Sequence, residues 1–264
     1  MYPDISELNG LNDLRPQTRA HLEAAGIWTL AQLAALSEDE LRRFKGIGPV
    51  KAHSYRAQAR AYLEGRPVWT QSLPSVLDQP VWFFDIETIP YAPQPLAWSI
   101  GVCAADGPVH LLVVHPFAAR RETYELPGAA GPLTLVPEPE ELWRTLADLV
   151  RGDQQPLLHW TSYDASVMRA SAPREVVEEL DERLHDQHAS FKRCLQIGAR
   201  GTSIKKVSAY FGFHYAAYED WSAAWHDYQR WLATGEEMAL RRACAYQADD
   251  VLAMRIVWRR MREG

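Results

Sequence analysis

Two acidic residues, Asp85 and Glu87, stand two positions apart inside the apolar run Val81–Pro90. Side chains alternate along a β-strand, so both carboxylates are expected on one face of a strand that is buried on both sides. Burying two neighbouring carboxylates is costly unless a cation shares their site, and the run itself contains no Lys, Arg or His. A hard divalent cation such as Mg²⁺ would satisfy them. The alternative is a strand end that opens into solvent, where acidic residues are ordinary.

The last helical segment carries another candidate acid, Asp250. One face of this helix is predicted from residues at spacings of three and four, namely Leu240, Ala243, Gln247, Asp250, Met254 and Val257. An unpaired carboxylate in such a largely apolar stripe is costly, which favours a ligand for it. Tyr246 lies four residues earlier on the same side of the helix, with an ordinary core tyrosine as the alternative. Asp249 is expected to face solvent.

Asp164 is expected in the first turn of a helix that directly follows a short strand within residues 156–161. That position places its carboxylate at the end of the strand, where it can join the other acids. The alternative is structural, because an acid in a first helical turn gains about 0.3–1 kcal/mol from the helix dipole.

Five other polar residues rank below these acids. Lys205 and Lys206 are candidates for contact with a substrate backbone, but adjacent positions on a helix favour a solvated edge. Asp186 is a weaker candidate ligand. His185 and His188, three residues apart, are interpreted as part of a surface helix rather than as metal ligands.

The elements that must position these residues form a mixed α/β pattern. After the central strand come two more, at 97–104 and 109–115, joined by the hairpin signal Asp106-Gly107. An irregular stretch with Pro and Gly follows, then a helix at 138–150 and the strand at 156–161. Beyond residue 161 the chain is predicted to be almost wholly helical. Three strands in a meander, a helix, a strand and then helices is the order of an RNase-H-like fold.

The first 66 residues are predicted to form short helices separated by tight turns, at about 15–25, 29–35, 38–43 and 50–64. In the turn before the last of these, Gly46 and Gly48 permit close backbone approach, and Lys51 lies beside the helix start. This turn resembles the helix-hairpin-helix DNA-binding motif, and the segment resembles a tandem pair. In the first copy Asp13 and Arg15 replace the glycines, so only the second is expected to hold phosphate. A helical protein-interaction module is the alternative.

These patterns divide the chain of 264 residues into a helix-hairpin-helix domain at 1–66, a linker at 67–80 and an RNase-H-like domain at 81–264. The formal net charge is −6, yet residues 1–66 are nearly neutral, so the acidity belongs to the larger part. No signal peptide or bilayer-spanning run is recognised, and the three cysteines show no C-x-x-C spacing. We therefore expect a cytoplasmic protein with reduced, buried thiols and no zinc or iron–sulfur site.

From residue 81 onwards the chain resembles the DEDD superfamily of RNase-H-like exonucleases. Asp85 and Glu87 match its first motif, Asp164 its second, and Tyr246-x-x-x-Asp250 its third, in the tyrosine-type variant. It is more closely similar to the RNase-H-like domain of predicted RecB-family nucleases, through Asp85–Thr88, His159–Asp164, Thr202–Val207, Phe211–Phe213 and Tyr246–Val251. The chain departs from that family in carrying Asp164 where Glu is frequent and Trp160 where Tyr is frequent.

The resemblance implies hydrolysis of phosphodiester bonds assisted by two Mg²⁺ or Mn²⁺ ions bound by the four acids, with Tyr246 orienting or deprotonating the water. It favours a 3′→5′ exonuclease for DNA in repair or processing, acting on a single strand or a 3′ end. An RNA exonuclease, a structure-specific endonuclease and a catalytically silent DNA-binding module are the alternatives.

Overall fold

The structure of the chain is a computed structural model that describes residues 7–125, 130–216 and 220–263. After a short 3-10 turn at Glu7–Gly10, the N-terminal part forms helices α1 (Pro16–Ala24), α2 (Leu30–Ala35), α3 (Glu38–Arg42) and α4 (Pro49–Glu64). These four helices lie where the sequence predicts them. Ser37 and Glu40 form a capping box, because each side chain accepts a backbone N–H of the other residue. The helices enclose a small core of their own that includes Leu22, Leu33 and Tyr55.

The two turns that precede α1 and α4 have matching backbones. Asp13 has a φ of 58° and Gly46 a φ of 92°, both in the left-handed region. Two residues later, Arg15 and Gly48 are extended, and a proline then opens each helix. Aspartate tolerates a positive φ better than most residues, so the first turn keeps this shape without its glycine.

The remainder of the chain is a mixed α/β unit. Its elements are β1 (Val68–Trp69), β2 (Trp82–Thr88), β3 (Ala97–Ala104), β4 (Val109–Val114), β5 (Glu122–Glu125), β6 (Pro132–Val136), α5 (Pro139–Val150), β7 (Leu157–His159), α6 (Ser162–Ser171), α7 (Arg174–Leu180), β8 (Leu184–Asp186), α8 (Gln187–Cys194), β9 (Leu195–Gln196), α9 (Ile204–Tyr210), α10 (Trp221–Thr234) and α11 (Glu237–Glu263). Seven strands form one sheet in the order β5-β6-β4-β3-β2-β7-β8. Strand β2 is antiparallel to β3 and parallel to β7, so it lies inside a mixed sheet.

Helices cover both faces of β2. On one face Phe83 packs against Trp258 of α11, with ring centroids 5.7 Å apart. On the other face Phe84 belongs to a separate apolar cluster with Trp143 of α5. Asp85 lies two residues beyond Phe83, so alternation directs its side chain towards α11. The predicted burial of this strand on both sides is therefore confirmed.

A glycine in β3 lets α11 approach the sheet next to Asp85. Gly101 is the register partner of Asp85. A Cβ at Gly101 would lie 2.9 Å from side-chain carbons of both Gln247 and Val251. Any larger residue would push α11 away from β2, and with it the acid that this helix carries.

The sheet is larger than the sequence pattern predicts. The meander β2-β3-β4, helix α5 and strand β7 are confirmed. Strands β5 and β6 occupy the stretch that was predicted to be irregular, and the expectation of an almost wholly helical chain beyond residue 161 is wrong at β8 and β9. Strands of two to four residues are too short for alternation to be recognised, which explains most of these omissions.

The segment between the two units is ordered and tied to the sheet unit. Strand β1 pairs with β9 in a separate two-stranded sheet. The N-terminal unit also contacts the loop after β9. In the turn before α1, Asn12 Oδ1 accepts the N–H of Gly201 at 2.6 Å, and in α4 Gln58 Nε2 donates to the carbonyl of Ala199 at 3.2 Å. The domain boundaries at 66 and 80 remain predictions.

Two further features agree with the composition. Cys103, Cys194 and Cys244 are buried and unbonded, as expected. Burial raises the pKa of the Cys103 thiol to about 11. Across the residues that the structure describes, no helix has both the length and the apolar character needed to cross a bilayer.

Candidate active site

Three carboxylates from two elements converge at the end of β2. One ligand oxygen each from Asp85, Glu87 and Asp250 lies within 4.8 Å of the other two. Asp85 and Glu87 reach this point by alternation along β2, and Asp250 reaches it from α11, which crosses the same face of the sheet. The sequence predicts the shared face of the first two acids and the inward direction of the third.

Asp164 lies beside this group in the first turn of α6 and is buried, with 5% of its surface exposed. Together with the three clustered acids it lines a cavity of about 530 Å³. The exposed rings of Tyr163 and Trp221 also line this cavity, and the Tyr163 hydroxyl hydrogen-bonds Thr88 Oγ1 at 2.9 Å. An acidic floor therefore lies below aromatic surfaces on which a base can stack.

Burial and mutual repulsion favour the protonated acids. Burial is the main cause of the raised pKa of Asp85, and the negative charges of Asp250 and Asp164 raise it further. The pKa of Glu87 rises to about 8, first through burial and then through Asp250. Burial likewise raises the pKa of Asp164 to about 7 and that of Asp250 to about 6. A cation at this point would relieve the repulsion.

Gln247 orients the central acid and was not predicted as a site residue. Its Nε2 donates to Asp85 Oδ2 at 2.7 Å, and the residue is completely buried. Gln247 lies three residues before Asp250, on the same face of α11. The sequence did contain an indication of this role, because Gln247 is a polar residue in the largely apolar stripe of α11.

Lys205 points into the site, so its interpretation as a solvated edge residue is wrong. Its Nζ donates to the Tyr246 hydroxyl at 2.9 Å and lies 4.5 Å from the centre of that ring. Its positive charge lowers the pKa of both Glu87 and Asp250 against the effect of burial. Helix α9 is short and its first turn faces the acids, which the pattern of adjacent lysines does not reveal.

The loop after α9 supplies another contact that the sequence did not indicate. The Tyr215 hydroxyl donates to Asp250 Oδ1 at 2.6 Å. In the same loop the N–H of Ala216 donates to Asp249 Oδ2 at 2.7 Å. Asp249 is 7% exposed, so the expectation that it faces solvent is wrong. The loop covers a side of α11 that periodicity alone leaves open to water.

The lower-ranked candidates have other partners. Asp186 caps α8 by accepting the N–H of Ala189 at 2.8 Å. His185 Nε2 hydrogen-bonds Ser190 Oγ, and His188 Nε2 hydrogen-bonds Thr202 Oγ1, each at 2.8 Å. The two histidines are on different elements, β8 and α8, rather than on one surface helix.

The predicted phosphate-binding turn lies in the helical unit, outside the acidic cavity. Gly46 and Gly48 are exposed, and Lys51 is half-buried in the first turn of α4. The structure therefore separates the predicted site residues into an acidic group and this turn. Tyr246 belongs with the acids, since it lines their cavity.

The acidic group fits a divalent cation. Its donors are hard carboxylate oxygens, which Mg²⁺ and Mn²⁺ prefer. The raised pKa values show that the group is unfavourable with all its charges and no cation. The nearby ammonium of Lys205 offsets only part of this charge, because the pKa of Glu87 remains well above its usual range.

Comparison with known proteins agrees with this architecture. A search of curated proteins finds no match to the chain. The family model RNase_H_2, described as RNase_H superfamily, matches residues 82–262 and so spans β2 to the end of α11. This range contains the whole seven-stranded sheet and all four candidate acids. Because the match covers more than half of the sequence, the chain belongs to the RNase H superfamily.

Proposed function

We propose that the protein is a metal-dependent nuclease that hydrolyses phosphodiester bonds. The convergence of Asp85, Glu87 and Asp250 within 4.8 Å, at the floor of a cavity with aromatic walls, carries this proposal. Membership of the RNase H superfamily supports a nucleic-acid substrate. The resemblance to DEDD exonucleases favours 3′→5′ action on DNA, on a single strand or a 3′ end.

In this proposal Asp85, Glu87 and Asp250 hold the divalent ions, and Asp164 completes their coordination. Mg²⁺ or Mn²⁺ bound there would lower the pKa of the attacking water and stabilise charge on the leaving oxygen. Gln247 keeps one Asp85 oxygen in place through its 2.7 Å hydrogen bond. The other acids are fixed by β2, α6 and α11, which are rigid elements of the core.

Tyr246 is assigned to orienting the attacking water. Its hydroxyl accepts a hydrogen bond from Lys205 Nζ and also interacts with the Asp250 carboxylate, which places it beside the acids that would hold the metal. Burial raises the pKa of Tyr246, so the phenol is expected to stay protonated and to orient the water rather than to take its proton. Lys205 would then also attract the phosphate that enters the cavity.

One assay tests the proposal and its alternatives. Matched DNA and RNA oligonucleotides, single- or double-stranded and labelled at the 5′ or the 3′ end, are incubated with Mg²⁺, Mn²⁺ or EDTA. Stepwise shortening from the 3′ end of DNA, only with metal, is the expected result. Preference for RNA or internal cleavage would select an alternative nuclease, and no cleavage of any substrate with either metal would contradict the proposal.

Tyr246→Phe is expected to lower the single-turnover rate by roughly 10²-fold while metal affinity stays unchanged, because the water-orienting hydroxyl is lost and the four acids are retained. Metal affinity is measured by calorimetry. Tyr228→Phe is the matched control, since it removes a buried hydroxyl that donates to the carbonyl of Val114, outside the acidic cavity. Equal rates in wild type and Tyr246→Phe would return Tyr246 to the role of a core tyrosine.

We further propose that the turn Gly46–Lys51 holds a DNA phosphate through its backbone N–H groups. Gly46 and Gly48 are exposed, Gly48 provides no side-chain cap for α4, and Lys51 lies in the first turn of that helix. In the first turn Asp13 is paired with the sheet unit, through Lys192 at 3.1 Å. These contacts support different roles for the two hairpin turns: the turn with Asp13 contacts the sheet unit, and the turn with Gly46 and Gly48 binds phosphate.

The two glycines should respond differently to substitution by Ala. At Gly48 a Cβ would meet no atom within 4 Å, so Gly48→Ala should leave the melting temperature unchanged and weaken DNA binding by crowding the phosphate. At Gly46 the φ is 92° and a Cβ would lie 2.7 Å from Thr18 Oγ1, so Gly46→Ala should destabilise the fold by about 1–2 kcal/mol. Thermal melts and anisotropy titrations measure both effects. Unchanged DNA affinity in Gly48→Ala would contradict a phosphate contact at this turn.

A further inference from the structure

A groove of about 730 Å³ separates the helical unit from the sheet unit. One wall is the start of α4 with the turn at Asp13, and the other is formed by α8, β9 and the loop that follows. Apolar side chains line much of it, including Val50, Leu195 and Ile197. Val50 is 83% exposed, so an apolar surface is presented to whatever enters the groove.

The charges along this groove are mainly positive, although the protein as a whole is acidic. Lys51 contributes from α4, and Lys192 and Arg193 contribute from the last turn of α8. Asp13 is the one acid among the lining residues, and it pairs with Lys192 across the groove at 3.1 Å. Both partners of this pair are exposed, so breaking it for a phosphate costs little.

The groove ends one residue away from the acidic cavity. Thr202 lines the groove, whereas its neighbour Ser203 lines the cavity. The carbonyl of Thr202 accepts a hydrogen bond from Trp160 Nε1 at 3.2 Å, and Trp160 is also part of the cavity wall. Thr202 and Ser203 thus lie at the boundary between the groove and the acidic cavity.

We propose that this groove binds the single-stranded continuation of the nucleic acid whose end lies in the acidic cavity. Cations spaced along an apolar channel suit a polynucleotide single strand, because they neutralise phosphates while the walls contact bases. The proposal rests on the proposed nuclease function for the direction of the strand. Lys192 and Arg193 bind phosphates, and Asp13 competes with them for Lys192.

The test uses the full chain with Asp85→Asn, which keeps the oligonucleotide intact during binding measurements. Anisotropy titrations with labelled oligothymidylates of increasing length are performed over about 50–200 mM salt. Adding Lys192→Glu and Arg193→Glu should weaken binding of long oligonucleotides at least tenfold. The slope of log affinity against log salt should fall by about 1.4, since each lost phosphate contact on a single strand contributes about 0.7. The shortest oligonucleotides should bind as before.

The matched control is Arg120→Glu with Arg174→Glu, which changes the net charge equally at two exposed sites outside the groove and the acidic cavity. It should retain the length dependence and the salt slope. The milder pair Lys192→Gln and Arg193→Gln should give a smaller loss of the same kind, which separates phosphate binding from misfolding. Equal losses in the control, or an unchanged salt slope in both groove variants, would overturn the proposal.

A substitution with the opposite effect makes the test stricter. Asp13→Asn should increase affinity for long oligonucleotides several-fold, because it removes the competitor of phosphate for Lys192, and Asn tolerates the φ of 58° at this position. Unchanged or weaker binding would contradict the proposed role of Lys192.

A cleavage assay distinguishes failure of the groove proposal from failure of the nuclease proposal. Metal-dependent cleavage of short oligonucleotides needs the acidic cavity and not the groove. For the cleavage assay Lys192→Glu and Arg193→Glu are made without Asp85→Asn. Cleavage of short substrates at wild-type rate by that variant, together with an unchanged salt slope in the binding assay, would leave the nuclease and exclude the groove.

Discussion

Replacing Asp85 with Asn should reduce phosphodiester cleavage by roughly 10³-fold or more while the protein stays folded. Metal-ion stabilisation of a transition state is worth several kcal/mol, and about 1.4 kcal/mol corresponds to a factor of ten in rate. Asp85 is the acid whose pKa is raised by three neighbouring acids, so it is central to the group. Single-turnover cleavage with Mg²⁺ or Mn²⁺ measures the loss.

A matched control is a buried acid away from the cavity. Asp227 of α10 is paired with Arg242 through two hydrogen bonds of 2.7 and 2.8 Å. Asp227→Asn should therefore lower the melting temperature but leave cleavage intact, because it weakens the ion pair of a buried carboxylate at a distance from the acids. Wild-type turnover in Asp85→Asn would show that Asp85 is not part of the active site. A comparable rate loss in Asp227→Asn would show that the assay reports stability rather than catalysis.

The local geometry of the acids was predictable because it depends on short-range periodicity. Alternation places Asp85 and Glu87 on one face of β2, and helical spacing turns Asp250 inwards. Their convergence was not predictable in the same way, because it depends on where α11 crosses the sheet. That crossing is set by packing, including the close approach that the absence of a side chain at Gly101 permits.

The sequence contained no periodic pattern that predicted the positions of residues held by loops or by tertiary contacts. Tyr215 lies in a loop, where no periodicity applies, and it reaches Asp250 only because the loop folds back over α11. Asp249 was expected to face solvent because a helix turns about 100° between neighbouring residues. The same loop buries that side of α11 and provides Asp249 with a backbone N–H.

The N-terminal turns show how far turn chemistry predicts a backbone. Gly46 and Gly48 indicated a tight turn before a helix start, and both are present, with Gly46 in the left-handed region. Asp13 adopts a similar backbone without a glycine, which the sequence did not indicate. The energetic cost of a positive φ at Asp is small enough for tertiary contacts to offset, including the hydrogen bond from the Tyr55 hydroxyl to the carbonyl of Asp13.

The metal-free protein should lose stability as pH rises from about 4, where carboxyls of the unfolded chain titrate, to about 8. The folded-state pKa values of Glu87, Asp164 and Asp250 are raised to about 8, 7 and 6. Over that range the folded protein therefore binds more protons than the unfolded chain, and the free energy of unfolding falls with increasing pH. Each pKa unit corresponds to about 1.4 kcal/mol, so the expected fall in melting temperature is roughly 5 °C or more.

Two comparisons isolate the contribution of the acids. Burial lowers the pKa of His159, which gives stability the opposite dependence on pH, so the difference between wild type and Asp85→Asn is the informative quantity. Without metal, Asp85→Asn should melt above wild type near pH 8 and lose that advantage near pH 5, because the removed charge is one that repels its neighbours. Saturating Mn²⁺ should raise the melting temperature of wild type most at high pH, where the carboxylates are free of protons, and should raise that of Asp85→Asn much less. If the melting temperatures of the two proteins followed parallel curves against pH, both with and without Mn²⁺, these acids would neither repel one another nor bind the metal.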